Sequence, residues 1–312
     1  MNKNQIASLS KLNGLIVHHP QFECAYKQIN ECYELKNAGL PVNFLCLGMS
    51  GTGKTTLKEK FLNQHLPYQT RDRKIVPVLV VDIPSLPTVK NVSEAVLLEL
   101  GDPLFNRGTA IEKTNRILTL VKTCKVQLII FDELQHFVDQ GSRSTPSQAA
   151  DWLKTIIDRS NASVVLMGLQ RSEHILRLNE QLRRRFSRRI NLEPFSLAKM
   201  NSYWDFVRVL RAMLKVVDMQ EETNLSDNLV RRIHYATNGV IGYMQTLLMA
   251  AFRSASSFGR SHISEEDFEA AFTESIWSAG IGTNNPFNED FVFKRLIKPG
   301  MPFHRLMSPE EV

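Results

Sequence analysis

Eight consecutive residues, Gly48-Met49-Ser50-Gly51-Thr52-Gly53-Lys54-Thr55, set glycines ahead of a lysine and a hydroxyl. An apolar run, Phe44-Leu45-Cys46-Leu47, precedes them, and a segment of helical character, residues 54–62, follows. In such a strand–loop–helix the glycines let backbone N–H groups curl around phosphates, while the lysine adds a point charge. Gly48, Ser50, Gly51, Thr52, Gly53, Lys54, Thr55 and Thr56 are therefore candidate ligands of a nucleoside triphosphate, ATP, and the Thr55 hydroxyl is a candidate ligand of Mg2+. A second chemical pair closes the run Leu128-Ile129-Ile130-Phe131-Asp132-Glu133. Phosphoryl transfer to water needs one acid on the metal side and another to polarise the attacking water. Asp132 is read as the metal-side residue and Glu133 as the catalytic base.

Five arginines fall within seven positions, Arg183, Arg184, Arg185, Arg188 and Arg189. Like charges this dense repel one another, so stability alone is a poor account of them. One reading sends an arginine to the γ-phosphate held by a neighbouring subunit, with Arg185 chosen because it directly precedes an apolar Phe186. The other puts the remaining arginines against nucleic-acid phosphates.

Elements must hold these groups together. Continuous apolar runs at 43–47, 76–82, 126–132, 163–168 and 188–192 alternate with helical stretches near 93–100, 111–122 and 147–159. Short buried strands alternating with helices predict an α/β core, a parallel sheet flanked by helices. After Pro194 strands give way to periodic helices near 198–217, 226–236, 241–257 and 264–274, a small all-helical domain. The stretch 288–312 lacks clear periodicity and reads as a tail, extended when alone.

Composition bounds the rest. The chain has 312 residues, 43% hydrophobic and 22% charged, with 38 basic against 32 acidic residues and a net charge of +6. That surplus permits a polyanionic partner without demanding one. No run approaches the ~20 apolar residues of a membrane span, and the first residues lack the apolar core of a leader. Cys24, Cys32, Cys46 and Cys124 have no metal-ligand spacing, so the expectation is a reduced, cytoplasmic protein.

The order of phosphate loop, Ile129-Ile130-Phe131-Asp132-Glu133, Gln181-Leu182-x-x-Arg185-Phe186 and a helical lid resembles AAA+ ATPases. More narrowly it resembles the TniB/TnsC regulators of DNA transposition, over roughly residues 10–290. Ile16-Val17-His18-His19-Pro20, followed by a helix near 23–35, resembles the segment that clasps the adenine, which implies roles for Ile16, Val17 and His18. Asn285-Pro286-Phe287 is similar to a terminal element of TniB-type tails. The resemblance implies an N-terminal extension (1–40), a P-loop AAA+ core (41–195), a helical lid (196–278) and a C-terminal tail (279–312). It implies rings or helical filaments of the chain on duplex DNA, bound without sequence preference. It also implies a target-selection partner of TniQ type and a transposase engaged by the tail. Lys90, Arg107, Lys113, Arg116 and Arg143 are the implied phosphate contacts, on segments that face a central pore in such assemblies.

The chain departs from the AAA+ pattern in two places. Where a polar sensor usually ends the fourth strand, Met167-Gly168-Leu169-Gln170 offers only Gln170, and the lid reads Gly239-Val240-Ile241-Gly242-Tyr243 with no arginine. Slow, assembly-dependent hydrolysis is the expectation. His136 reads as a packed or capping histidine, and Trp152 and Trp204 as core residues. Two other readings of the same loop stand beside this one: an ATP-gated protein-interaction switch without DNA, and a helicase loader.

Overall fold

In a computed structural model, residues 3–139, 145–217 and 219–304 are described. The strands are β1 (Phe44–Gly48), β2 (Tyr68–Gln69), β3 (Lys74–Ile75), β4 (Val78–Asp82), β5 (Leu128–Asp132), β6 (Ser163–Gly168) and β7 (Arg188–Leu192). The helices are α1 (Lys3–Asn13), α2 (Pro20–Asn37), α3 (Lys54–Gln64), α4 (Val89–Leu100), α5 (Ala110–Thr123), α6 (His136–Asp139) and α7 (Thr145–Ser160). Then come α8 (Glu173–Leu178), α9 (Glu180–Arg185), α10 (Met200–Val216), α11 (Asp227–Thr237), α12 (Ile241–Ser257) and α13 (Glu265–Ser275). The chain divides into two compact units. One holds Gln21–Met49 and Lys54–Leu192, the other Met1–Pro20, Ser50–Gly53 and Glu193–Val312.

The first unit is built on a five-stranded parallel sheet, β4-β5-β6-β1-β7. Every residue of β1, β5 and β6 is buried, as continuous apolar runs require when helices cover both faces. At the edge, β7 alternates between exposed and covered positions. The chain leaves β1 for the far edge, returns through β5 and β6, and passes β1 to reach β7. Strand order thus reverses beside β1, which is where a doubly wound sheet opens a crevice at its carboxyl ends. Trp152 of α7 sits in this core as the sequence suggests, edge-on to Phe131 at 5.8 Å and donating to Thr114 Oγ1 at 3.2 Å.

In the second unit, α10–α13 surround Phe206, Leu210, Ile233, Leu248, Phe252, Phe268 and Phe272. Leu12 of α1 joins them, and Gln245 donates to the Leu12 carbonyl at 2.7 Å. As far as residue 304 the unperiodic stretch is folded rather than extended, with Phe287, Phe291, Leu296 and Phe303 buried in this same core, while 305–312 lie outside the described residues. Asn285 explains the path. Its buried Nδ2 donates to the carbonyls of Glu269 and Gly280, both at 3.0 Å, and its Oδ1 accepts from Phe287 N–H at 3.0 Å. Arg232 donates to the Pro286 and Asn288 carbonyls at 2.6 and 2.7 Å, and Phe287 stacks on Phe268 at 5.4 Å. The Asn285-Pro286-Phe287 element is therefore internal packing, not a free recognition motif. Trp204 also departs from expectation, for it is 48% exposed on α10. The expected 1–40 extension is divided, α1 belonging to the helical unit and nearly all of α2 to the sheet unit.

Candidate functional site

The glycine-rich loop leaves β1 at Gly48 and enters α3 at Lys54. Gly51 and Gly53 adopt φ values of +80° and +99°, a region that a Cβ disfavours. Gly51 also meets Gly242 closely, for Gly242 N–H donates to Gly51 O at 2.9 Å and a Cβ on Gly242 would lie 3.1 Å from Gly51 Cα. Lys54 is buried, and its Nζ donates to the carbonyls of Gly48 (2.6 Å) and Met49 (2.9 Å). Burial pulls this amine below the ordinary lysine range, with Asp132 opposing. Thr52 is buried, Thr55 exposed and Thr56 half-buried, so the Thr55 hydroxyl is accessible at the helix start. Beneath the loop, burial pushes the Cys46 thiol up to about 12, an inert core thiol.

Asp132 ends β5 and is buried. One carboxylate oxygen accepts from Glu133 N–H at 2.8 Å, and the other pairs with Lys58 at 2.8 Å. Lys58 lies one turn beyond Lys54 on α3 and also reaches Asp82, the last residue of β4, at 2.6 Å. Burial disfavours the Lys58 charge, but the bonds to Asp132 and Asp82 outweigh it and hold its pKa above the ordinary value. A buried carboxylate already pairing with a cation fits the metal-side role.

Glu133 follows with φ +59°, a left-handed backbone that is uncommon outside glycine and gathers at functional positions. Its carboxylate accepts from Gln135 Nε2, while Gln135 Oε1 accepts from Leu169 N–H at 3.1 Å. Gln135 is buried and packs at Gly168, where a Cβ would come within 3.0 Å of its Oε1. Gln170, the expected polar sensor, is exposed on the turn after β6, so Gln135 is the polar group bridging β5 and β6. His136 Nδ1 donates to Ile83 O at 2.6 Å, a packing role.

The arginines of the cluster each have an acidic partner. Arg185 pairs with Asp158 at 2.6 Å, Arg184 with Glu180 at 2.7 Å, Arg188 with Glu31 at 2.8 Å and Arg189 with Glu173 at 2.6 Å. Arg183 lies 3.8 Å from Glu180. Phe186 is fully buried and anchors the end of α9 behind Arg185. Ile16, Val17 and His18 lie between α1 and α2, the first two half-covered and His18 exposed.

One of the expected phosphate contacts is corrected, and a second has internal partners. Lys113 is completely buried, its amine on Glu94 at 2.9 Å and the Phe105 carbonyl at 2.7 Å. Arg116 spends its guanidinium on Asp102, the Leu104 carbonyl (2.6 Å) and the Arg107 carbonyl (2.9 Å). Lys113 braces the loop between α4 and α5 from within, and the half-exposed Arg116 braces it from the surface. Lys90 and Arg107 are exposed, and Arg143 lies outside the described residues. Among the described residues no three His, Cys, Asp or Glu side chains gather as a metal cluster, and no helix is long and apolar enough to cross a membrane.

Sheet order, phosphate loop and helical unit together define the P-loop AAA+ fold. The chain belongs to the TniB family: the model of the bacterial TniB protein matches residues 12–197. No curated protein matches it. Among solved structures it is similar to the Cdc6 protein of Pyrobaculum aerophilum (TM-score 0.62, 16% identity, covering 83% of this chain and 68% of that one). It is also similar to the Aeropyrum pernix Orc1 protein solved in complex with DNA (0.59, 15%, 86% and 68%). A third likeness is to the Orc2 protein of the same organism, solved as ADPNP–ADP complexes (0.57, 14%, 85% and 71%).

Proposed function

We propose that this chain is an ATP-hydrolysing regulator of DNA transposition that assembles on duplex DNA and links target selection to a transposase. The observation that carries the ATPase part is the gathering of Lys54, Asp132 and Glu133 at the carboxyl ends of β1 and β5. The loop glycines and Lys54 would hold the phosphates, Ile16, Val17 and His18 the adenine. Thr55 and Asp132 would hold Mg2+, which would supply positive charge against the charge developing on the phosphate. Glu133 would take the proton of the attacking water. Arg185 would cross to a neighbouring subunit, a step that an exposed ion pair with Asp158 opposes only weakly.

Membership of the TniB family supports the transposition part, and the DNA complex of the Orc1 protein shows that one protein of this fold binds DNA. In this reading, contacts to DNA are made to phosphates and are steeply salt-dependent. The target-selection partner is of TniQ type. The transposase contact falls outside Asn285-Pro286-Phe287, since that element is buried in the helical unit.

A second reading, an ATP-gated protein-interaction switch, is favoured by the internal roles of Lys113 and Arg116. Electron microscopy of the purified protein with duplex DNA in ATP, a non-hydrolysable analogue and ADP separates the two. Rings or filaments only in the triphosphate states support the regulator, and Lys54→Ala should form none. A monomer indifferent to DNA in every state leaves the switch.

A further inference from the structure

Asp82 and Asp132 end adjacent parallel strands and face each other in register. Ile83 N–H donates to Asp132 O at 2.9 Å, so the two strand ends are tied through the backbone as well. Their side chains differ sharply in access: that of Asp132 is 2% exposed and that of Asp82 is 64% exposed. The buried amine of Lys58 stands between them, at 2.6 Å from Asp82 and 2.8 Å from Asp132.

A buried carboxylate without a counter-charge is costly, and removing one partner of a buried pair is strongly destabilising. Asp132 therefore needs a cation beside it, and Lys58 supplies one. The Asp132 oxygen turned toward Lys58 is also the one not already held by Glu133 N–H. Lys58 would thus compete with Mg2+ for Asp132. Lys58 has somewhere to go, since Asp82 is already in contact and open to solvent.

We infer that Lys58 is a positioning residue, an exchangeable counter-ion that neutralises Asp132 before Mg2+–nucleotide arrives and withdraws to Asp82 when it does. Asp82 then sets how readily Asp132 is released. This deepens the ATP and Mg2+ assignment and rests on it, while being independent of DNA.

The two substitutions have opposite signs. Lys58→Met keeps the stem but removes the competitor, so less Mg2+ should be needed at the site. Asp82→Asn removes the alternative partner, so Lys58 stays on Asp132 and more Mg2+ should be needed. Each shift should be roughly two- to fivefold, the scale of one partly exposed ion pair. The measurement is Mg2+ titration of a fluorescent ADP on the full chain, each variant referred to its own Mg2+-free ADP affinity, with thermal denaturation alongside. Should Lys58→Met fail to fold, Asp82→Asn at the exposed carboxylate carries the test, and Lys58→Arg should restore near-native Mg2+ dependence. Weakened Mg2+ response in both variants, or none in Asp82→Asn, overturns the inference while leaving the nucleotide site standing. Failure of the unaltered chain to bind ADP with or without Mg2+ removes the nucleotide assignment and this inference with it.

Discussion

Gln135 holds the carboxylate of Glu133: its amide nitrogen donates to Glu133 Oε2 while its oxygen accepts from Leu169 N–H at 3.1 Å. The candidate base is thus restrained from the end of the neighbouring strand. Gln135→Ala frees the Glu133 carboxylate to turn toward the attacking water and should raise basal ATP turnover several-fold. Glu133→Gln should bind ATP and hydrolyse it on the order of 10²-fold more slowly. Steady-state phosphate release checks both, and lower turnover in Gln135→Ala would make Gln135 an aligning group instead.

Arg185 gives up only a half-exposed pair with Asp158, so Arg185→Ala should cost no more than about 1 kcal/mol of stability. Nucleotide binding by the monomer should persist, with hydrolysis lost only under conditions of assembly. Turnover measured against protein concentration reads this, and an unchanged curve moves the finger to Arg183 or Arg184.

Lys113 and Arg107 should separate cleanly. Lys113→Met strands Glu94 and the Phe105 carbonyl and should cost about 3–5 kcal/mol in chemical denaturation. Exposed Arg107→Ala should leave stability within about 0.5 kcal/mol and flatten the salt dependence of DNA binding by about one unit of slope. Equal denaturation midpoints for the two variants would contradict the buried role of Lys113.

Asn285→Ala leaves the Glu269 and Gly280 carbonyls and the Phe287 amide without their partner. The expected loss is about 2–4 kcal/mol, read as a lower melting temperature even without nucleotide. A native-like melt would mean that the segment is not part of the helical core.

His234 Nε2 donates to the Phe195 carbonyl at 2.7 Å, and burial holds its pKa below the ordinary value, with Arg295 adding to the depression. The folded state resists protonation, while the unfolded chain accepts a proton near pH ~6.5. Stability from this group is therefore complete above about pH 6.5 and is lost as pH falls through the lowered value. Melting temperatures of the native chain should drop on acidification through that window, and His234→Gln should flatten the slope.

The sequence was most legible where chemistry and periodicity coincide. The strands at 163–168 and 188–192 and the helix at 241–257 stand where apolar patterning puts them. Lys54, Asp132 and Glu133 follow from motif spacing. Lys58 and Gln135 were missed because their meaning is tertiary, though Lys58 shares a helix face with Lys54 and Asp82 ends a strand as Asp132 does. Lys113 and Arg116 read as surface charges because a basic residue on a helix gives no sign of a carbonyl waiting in the next loop. The last described stretch has no repeat to read, since its phenylalanines fill irregular gaps between helices instead of forming a face of their own.

That stretch has a consequence for synthesis. Leu12, near the start, and Phe303, near the end, share one apolar core. Nearly the whole sheet unit, ending at Leu192, can leave the ribosome and close on itself while the helical unit still lacks its final layer. A chain arrested before residue 303 therefore carries a finished sheet unit beside an open, sticky helical one, a natural substrate for chaperones and proteases. The helical core is therefore complete only once residue 303 has been made.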